Sequence, residues 1–249
     1  MTAPAERPAQ LRIRLPRVPR WIKGLLVAAA IGGSALGIAG GIMFRMVRQP
    51  SGSMWPTLQV GERLVANRLS PEPERGVVVV FRYPEHPEQS FVKRVVGLPG
   101  DVVAVSNGEV SINDWKIPRC VVGKTAYGED GATGESGSRH EGTLVVEHLG
   151  GASYLVFEDK AAFGPDANRW TVAPGQYFVL GDNRNNSHDS RRWFGGAGGG
   201  VPFANTQGRV RGHEVPELPP SVAGAATLAP ALAECLAKRP AQTTPPPPR

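Results

Sequence analysis

Apolar positions fall into short runs broken by turn residues through most of the chain. The runs ERLVANRL (62–69), GVVVVFRY (76–83), SFVKRVVGL (90–98), TLVVEHL (143–149), ASYLVFED (152–159) and GQYFVLGD (175–182) have strand length and are rich in β-branched residues. Between 101 and 114 two alternating runs flank Asn107-Gly108. Both turn positions of that dipeptide tolerate positive φ, which predicts a tight hairpin. No convincing amphipathic helix is found between 49 and 212. The pattern predicts one mostly antiparallel β-domain over 49–212, long enough to bury a sizeable core. The segment 121–142, with six glycines and mixed charges, reads as an exposed loop.

The ends differ in pattern. Residues 24–44, GLLVAAAIGGSALGIAGGIMF, are 21 residues without a charge. As a helix they reach roughly 31 Å, about one bilayer core. Arg7, Arg12, Arg14, Arg17, Arg20 and Lys23 precede them, opposed only by Glu6. That excess predicts a cytoplasmic arm (1–23), a single-pass anchor (24–44) in the plasma (inner) membrane and an extracytoplasmic bulk. A cleaved signal peptide is the alternative, but the following FRMVRQP lacks a small-residue cleavage site. Residues 213–249 are rich in proline and alanine and read as a disordered tail, in which Pro230 interrupts a short helix over 222–238.

Composition sharpens this division. Thirteen of the 24 prolines lie in 1–20 and 213–249, and six of the 31 glycines lie in 24–44. The net charge of +6 is accounted for by the basic arm, since 22 basic and 21 acidic residues remain outside it. A nucleic-acid partner is therefore not expected. Two cysteines, Cys120 and Cys235, exclude a disulfide-dense scaffold and a four-cysteine zinc site. Cys120 has no mate nearby in sequence, and Cys235 reads as a free thiol in the tail. None of the five histidines has metal-ligand spacing, so neither metal nor cofactor is expected.

Three segments carry candidate chemistry. In SFVKRVVGL, strand alternation places Phe91, Lys93 and Val95 on one face. Burial of that face would favour the neutral amine. Bringing the pKa from ~10.4 to near 7 amounts to about 4 to 5 kcal/mol. A neutral lysine can serve as a general base; the same residue could equally reach water from an edge strand. SGSMWPTL sets Ser51 and Ser53 either side of Gly52, as a nucleophile turn or an ordinary turn. GDNRNNSHDSR (181–191) has the density of Asp, Asn and Gly found in a hydrogen-bonded turn. His188 beside Asp189 is a poor base pair, because adjacent side chains point apart.

Together SGSMWPTL, KRVVGLPGD and GDNRNNSHDSR, in that order behind an apolar N-terminal segment, resemble the bacterial type I signal peptidases, membrane-anchored Ser/Lys proteases. The resemblance implies a mainly β fold with a coiled β-sheet catalytic domain. It implies Ser53 as nucleophile, Lys93 as general base, and the Ser51 hydroxyl with the Ser53 amide as oxyanion hole. Ser187 would orient the lysine, and Asp182, Arg94, Asp189 and Arg191 would support the site. Leu58, Phe91 and Val92 would line pockets for small substrate side chains. Expected partners are preproteins bearing signal peptides, membrane lipid and the export machinery. Two alternatives stand beside this reading: maturation of a dedicated conjugation or pilus subunit, and a catalytically silent envelope scaffold. Departures from the family pattern are Gln49 before Pro50, Val77, the glycine run 195–200 and the absence of the paired cysteines of some members.

Overall fold

The computed structural model describes residues 43–69, 72–106, 108–128, 139–159, 168–214 and 216–247. All but the last two residues of the expected anchor, and the whole basic arm, lie outside them. Among the described residues no helix is long and apolar enough to cross a membrane. Phe44, counted with the anchor by its hydropathy, instead opens the first strand.

The fold is mainly β, and its named strand pairs are antiparallel. Its principal sheet joins seven strands in the order β1 (Phe44–Arg48), β2 (Arg63–Asn67), β14 (Thr206–Val210), β3 (Val78–Arg82), β4 (Ser90–Gly97), β12 (Gln176–Leu180) and β13 (Val201–Pro202). A second sheet contains β5 (Val102–Ser106), β6 (Glu109–Ile112), β7 (Trp115–Lys116) and β11 (Asn168–Thr171). A three-stranded ribbon contains β8 (Arg119–Gly128), β9 (Arg139–Leu149) and β10 (Ala152–Asp159).

Core packing follows the alternation. On β3, Val78 and Val80 join Met54, Leu58, Leu64 and Val92 on one face of the sheet. Val79 and Phe81 join Val95, Tyr177, Val179 and Trp193 on the other. Burial on both faces explains why this strand reads as a continuous apolar run. β5 and β6 pair antiparallel as expected, with Ser106 opposite Glu109 and Gly108 at φ 82°.

Two expectations fail. Of the loop read over 121–142, the stretches 121–128 and 139–142 are strand, with β8 and β9 paired from Arg119↔Glu147 out to Gly128↔Arg139, and 129–138 lie outside the described residues. Its glycines had suggested turns, but backbone pairing with β9 outweighs their low strand propensity. Nor is 213–249 a solvated tail. A helix, α1 (Ala225–Ala237), continues through Pro230 and buries Leu228, Leu232 and Cys235 against the ribbon. The one backbone bond that Pro230 removes is outweighed by this packing and by a covalent tie. Cys120 and Cys235 form a disulfide, with Cα atoms 5.6 Å apart across a separation of 115 residues. Beyond α1, Arg239 and Thr243 bond the Gly150 carbonyl and the Asn113 side chain donates to the Pro246 carbonyl.

Sequence proximity could not reveal that pairing. A loop of this length makes the cross-link worth about 5 kcal/mol on a chain-entropy basis. The double variant Cys120→Ala/Cys235→Ala is expected to melt roughly 10 °C lower by calorimetry. An unchanged melting temperature would show that α1 is held by packing alone.

Candidate active site

The site is assembled where the turn before β2 meets β4 and the segment that follows β12. Gly52–Met54 forms a 3₁₀ turn, closed by the Trp55 amide donating to the Gly52 carbonyl at 3.0 Å. Apolar side chains pin the turn from two directions. Met54 and Leu58 enter the core under the main sheet, while Trp55 enters the core shared with α1 and meets Phe157 edge-on at 4.9 Å. Ser53 is thereby fixed at 6% exposure.

Lys93 reaches this turn from β4. Its Nζ lies 2.7 Å from Ser53 Oγ and donates a second bond to the Val92 carbonyl at 3.1 Å. Only 4% of the residue is exposed. Burial lowers the lysine pKa to about 8, against the opposing fields of Asp189 and Asp182, with Arg191 adding to the lowering. An amine in this range can surrender its proton near neutral pH and then accept one from the serine hydroxyl. The unfolded chain binds the extra proton between pH 8 and the ordinary lysine range, so this group favours folding increasingly as pH rises across that window. Ser51 donates to Ser53 Oγ at 3.2 Å from the exposed end of the turn.

The nearby carboxylates are neutralised by dedicated partners. Arg94 holds Asp182 through Nε at 2.8 Å and Nη2 at 2.6 Å, and Thr57 donates to the same carboxylate. Arg191 grips Asp189 at 2.8 and 2.9 Å. Burial alone would raise the Asp189 carboxyl, but Arg191, the Gly181 amide and the Ser187 hydroxyl hold it below its usual range. The resemblance implies that Ser187 orients the amine. Its hydroxyl donates to Asp189 at 2.7 Å, and no bond to Lys93 is formed. The carboxylate is the stronger acceptor and is two residues away.

Leu58 is likewise displaced from its expected role. It is fully buried in the core and does not line the cleft beside the dyad. That cleft, of about 450 Å³, is lined by Gln49, Pro50, Ser51, Ser53, Phe91, Val92, Lys93 and His188 among others. Gln49 is buried with its side-chain amide donating to the Ser51 carbonyl at 2.7 Å, so it buttresses the turn from within.

Several positioning residues were not singled out from sequence. The Asn183 amide donates to the Ser53 carbonyl at 3.1 Å and its side chain to the Gly52 carbonyl at 3.1 Å. Arg184 forms a third buried ion pair with Glu147 on β9, and the Arg94 guanidinium lies 3.9 Å from the Tyr154 ring centre. The only sequence signal was the polarity of 181–191; the partners on β9 and β10 are distant in sequence. Among the described residues no cluster of His, Cys, Asp or Glu could hold a metal ion.

A serine hydroxyl in contact with a buried, partly neutral lysine defines a candidate Ser/Lys hydrolase site. The chain belongs to the family described as signal peptidase, peptidase S26, whose family model matches residues 18–213. Signal peptidase I of Pseudomonas aeruginosa is 37% identical over 161 residues, covering 58% of this chain and 53% of that relative. Signal peptidase I of Aquifex aeolicus is 30% identical over 209 residues, covering 72% and 80%. The chain thus spans about half the length of the Pseudomonas relative. The crystal structure of a signal peptidase I from Enterococcus faecalis is 26% identical, covers 56% of this chain and 97% of that one, and superposes with a TM-score of 0.32.

Gly181 tests how tightly the site is packed. A methyl group there would fall 2.5 Å from the Ser53 carbonyl oxygen and against the Ser187 hydroxyl. Gly181→Ala is expected to shift the nucleophile turn and slow acylation of Ser53 by a serine-directed reagent about tenfold or more. Mass spectrometry of the labelled protein reads the rate, and unchanged labelling would mean the turn is not held by this contact.

Proposed function

We propose that this chain is a membrane-anchored serine endopeptidase that removes N-terminal signal peptides from exported preproteins. The observation that carries this reading is the 2.7 Å contact between Lys93 Nζ and Ser53 Oγ within a buried site. Lys93, as the neutral amine, takes the Ser53 proton while Oγ attacks the scissile carbonyl carbon. In this reading the Ser53 amide and the Ser51 hydroxyl receive the oxyanion. Ser51 can turn from Ser53 Oγ to this task, since its hydroxyl sits at the open end of the turn. Lys93 then protonates the leaving amine, and an acyl-Ser53 intermediate remains. Water attacks that ester with Lys93 again as base, releasing the signal peptide's new carboxylate.

Location is supported by three features. Residues 24–44 have the length and hydropathy of one span, with the basic arm on its cytoplasmic side. The disulfide fits an oxidising compartment. Phe44, Met46 and Val65 are exposed on β1 and β2, directly after that span, where an apolar surface suits a bilayer. Enzyme and substrate held in one membrane share a layer, which reduces the entropy lost on encounter. Membrane lipid, preproteins and the export machinery are the partners of this reading.

Reconstituted protein should cleave a model preprotein in lipid vesicles. Ser53→Ala should abolish cleavage, and Lys93→Arg should reduce it by about 10³-fold or more, because a guanidinium stays charged. Wild-type cleavage by Lys93→Arg protein would overturn the dyad. The rate should also rise about tenfold per pH unit up to about 8 and level off above it, following the amine's loss of its proton. A profile flat between pH 6 and pH 9, measured as kcat/KM, would exclude Lys93 as the base.

A further inference from the structure

Besides the dyad, the cleft is lined by Phe91 and His188. His188 is exposed, and the proton transfers between Ser53 and Lys93 make no use of it. Its ring is nevertheless held from behind. Nε2 lies 2.9 Å from the Tyr83 hydroxyl, and the two rings meet edge-on at 5.6 Å. Tyr83 is buried and stacked on Phe91, with ring centres 4.5 Å apart. The Tyr83 hydroxyl also bonds the Glu85 carboxylate.

This chain of contacts has a direction. A phenol has one hydrogen to donate, and an ionised carboxylate only accepts. The bond from Tyr83 holds the Glu85 carboxyl below its ordinary range, so Glu85 is the acceptor. The Tyr83 hydrogen goes to Glu85, and the phenol oxygen is left to accept from His188. His188 Nε2 must then carry the hydrogen, which leaves a lone pair on Nδ1 of the neutral ring. Among the described residues, no hydrogen bond to Nδ1 is formed. An exposed histidine whose ring is held by Tyr83 therefore lines the cleft that contains Ser53.

We infer that His188 is a specificity-determining residue: its Nδ1 accepts a hydrogen bond from a substrate side chain in the cleft, favouring residues that donate over isosteres that cannot. The inference rests on the peptidase reading of the cleft. Tyr83 and Glu85 act as positioning residues, since they set the tautomer of His188 without touching substrate. Glutamine is the simplest donor of the required reach. Glutamate has its shape without its hydrogens, and methionine has similar length with neither charge nor donor.

The experiment compares peptides that differ only by glutamine, glutamate or methionine at each position preceding the scissile bond in turn. It is run at about pH 9, above the Lys93 transition. Glu85 and Glu88 lie within three residues of His188's partner Tyr83 or of the cleft-lining Gln89, and their charge acts on a substrate glutamate with or without His188. The reading is therefore the change in ratio between wild-type and His188→Phe protein. At one position, the glutamine-to-glutamate and glutamine-to-methionine ratios of kcat/KM should both fall about five- to tenfold in His188→Phe. Tyr83→Phe should give a smaller fall in the same direction, because the tautomer is no longer fixed. Ratios equal in wild-type and His188→Phe protein at every position would overturn the proposal. The same ratios are read as Kd on Ser53→Ala protein, which needs no turnover. Absence of cleavage by the wild-type protein would then sink the peptidase reading, while the binding ratios still decide the role of His188.

Discussion

An amine kept out of water is the constraint around which the rest of the structure is organised. Lys93 can serve Ser53 only if burial weakens its hold on a proton, and burial is useful only if no neighbouring carboxylate restores that hold. Asp182 and Asp189 both act on Lys93, and both are occupied by guanidinium groups. Arg94 and Arg191 thus shield the amine from carboxylates that the local fold requires. Asp189 also gathers the Gly181 amide and the Ser187 hydroxyl, so one carboxylate ties the ends of the segment 181–191 together.

That arrangement explains why so many charges are buried in one place. Each pair carries a desolvation cost that a lone charge could not meet, and each is satisfied by several bonds. Arg184 and Glu147 extend the same logic to β9, and Tyr154 offers its ring face to Arg94. The hydrogen-bonded turn 52–54 is then squeezed between Asn183 on one side and apolar anchors on the other. Ser53 is positioned by its carbonyl and its neighbours, which leaves its hydroxyl free to serve the cleft.

Much of the β-architecture was legible because it rests on local periodicity. The runs at 76–83, 90–98, 152–159 and 175–182 contain β3, β4, β10 and β12, and Phe91, Lys93 and Val95 alternate as strand geometry requires. β14 escaped notice because TQGRV is polar and owes its central place to pairing with β2 and β3. β8 escaped because glycine content masked a register set by β9. The serine and lysine segments could be singled out, but their 2.7 Å meeting joins residues 40 apart in sequence. Ser187 donates to Asp189, a bond that motif spacing does not encode, since the choice between an amine and a carboxylate depends on distances.

The docked C-terminal segment has a consequence for how the protein matures. Trp55, two residues from Ser53, packs in the same core as Val222, Leu228, Leu232 and Cys235, and its indole donates to Ser221 at 3.0 Å. The ground beneath the nucleophile is therefore completed by residues that leave the ribosome after every strand has been made. The disulfide ties this late segment back to β8 across 115 residues, so the support under the reactive serine joins the two ends of the described fold.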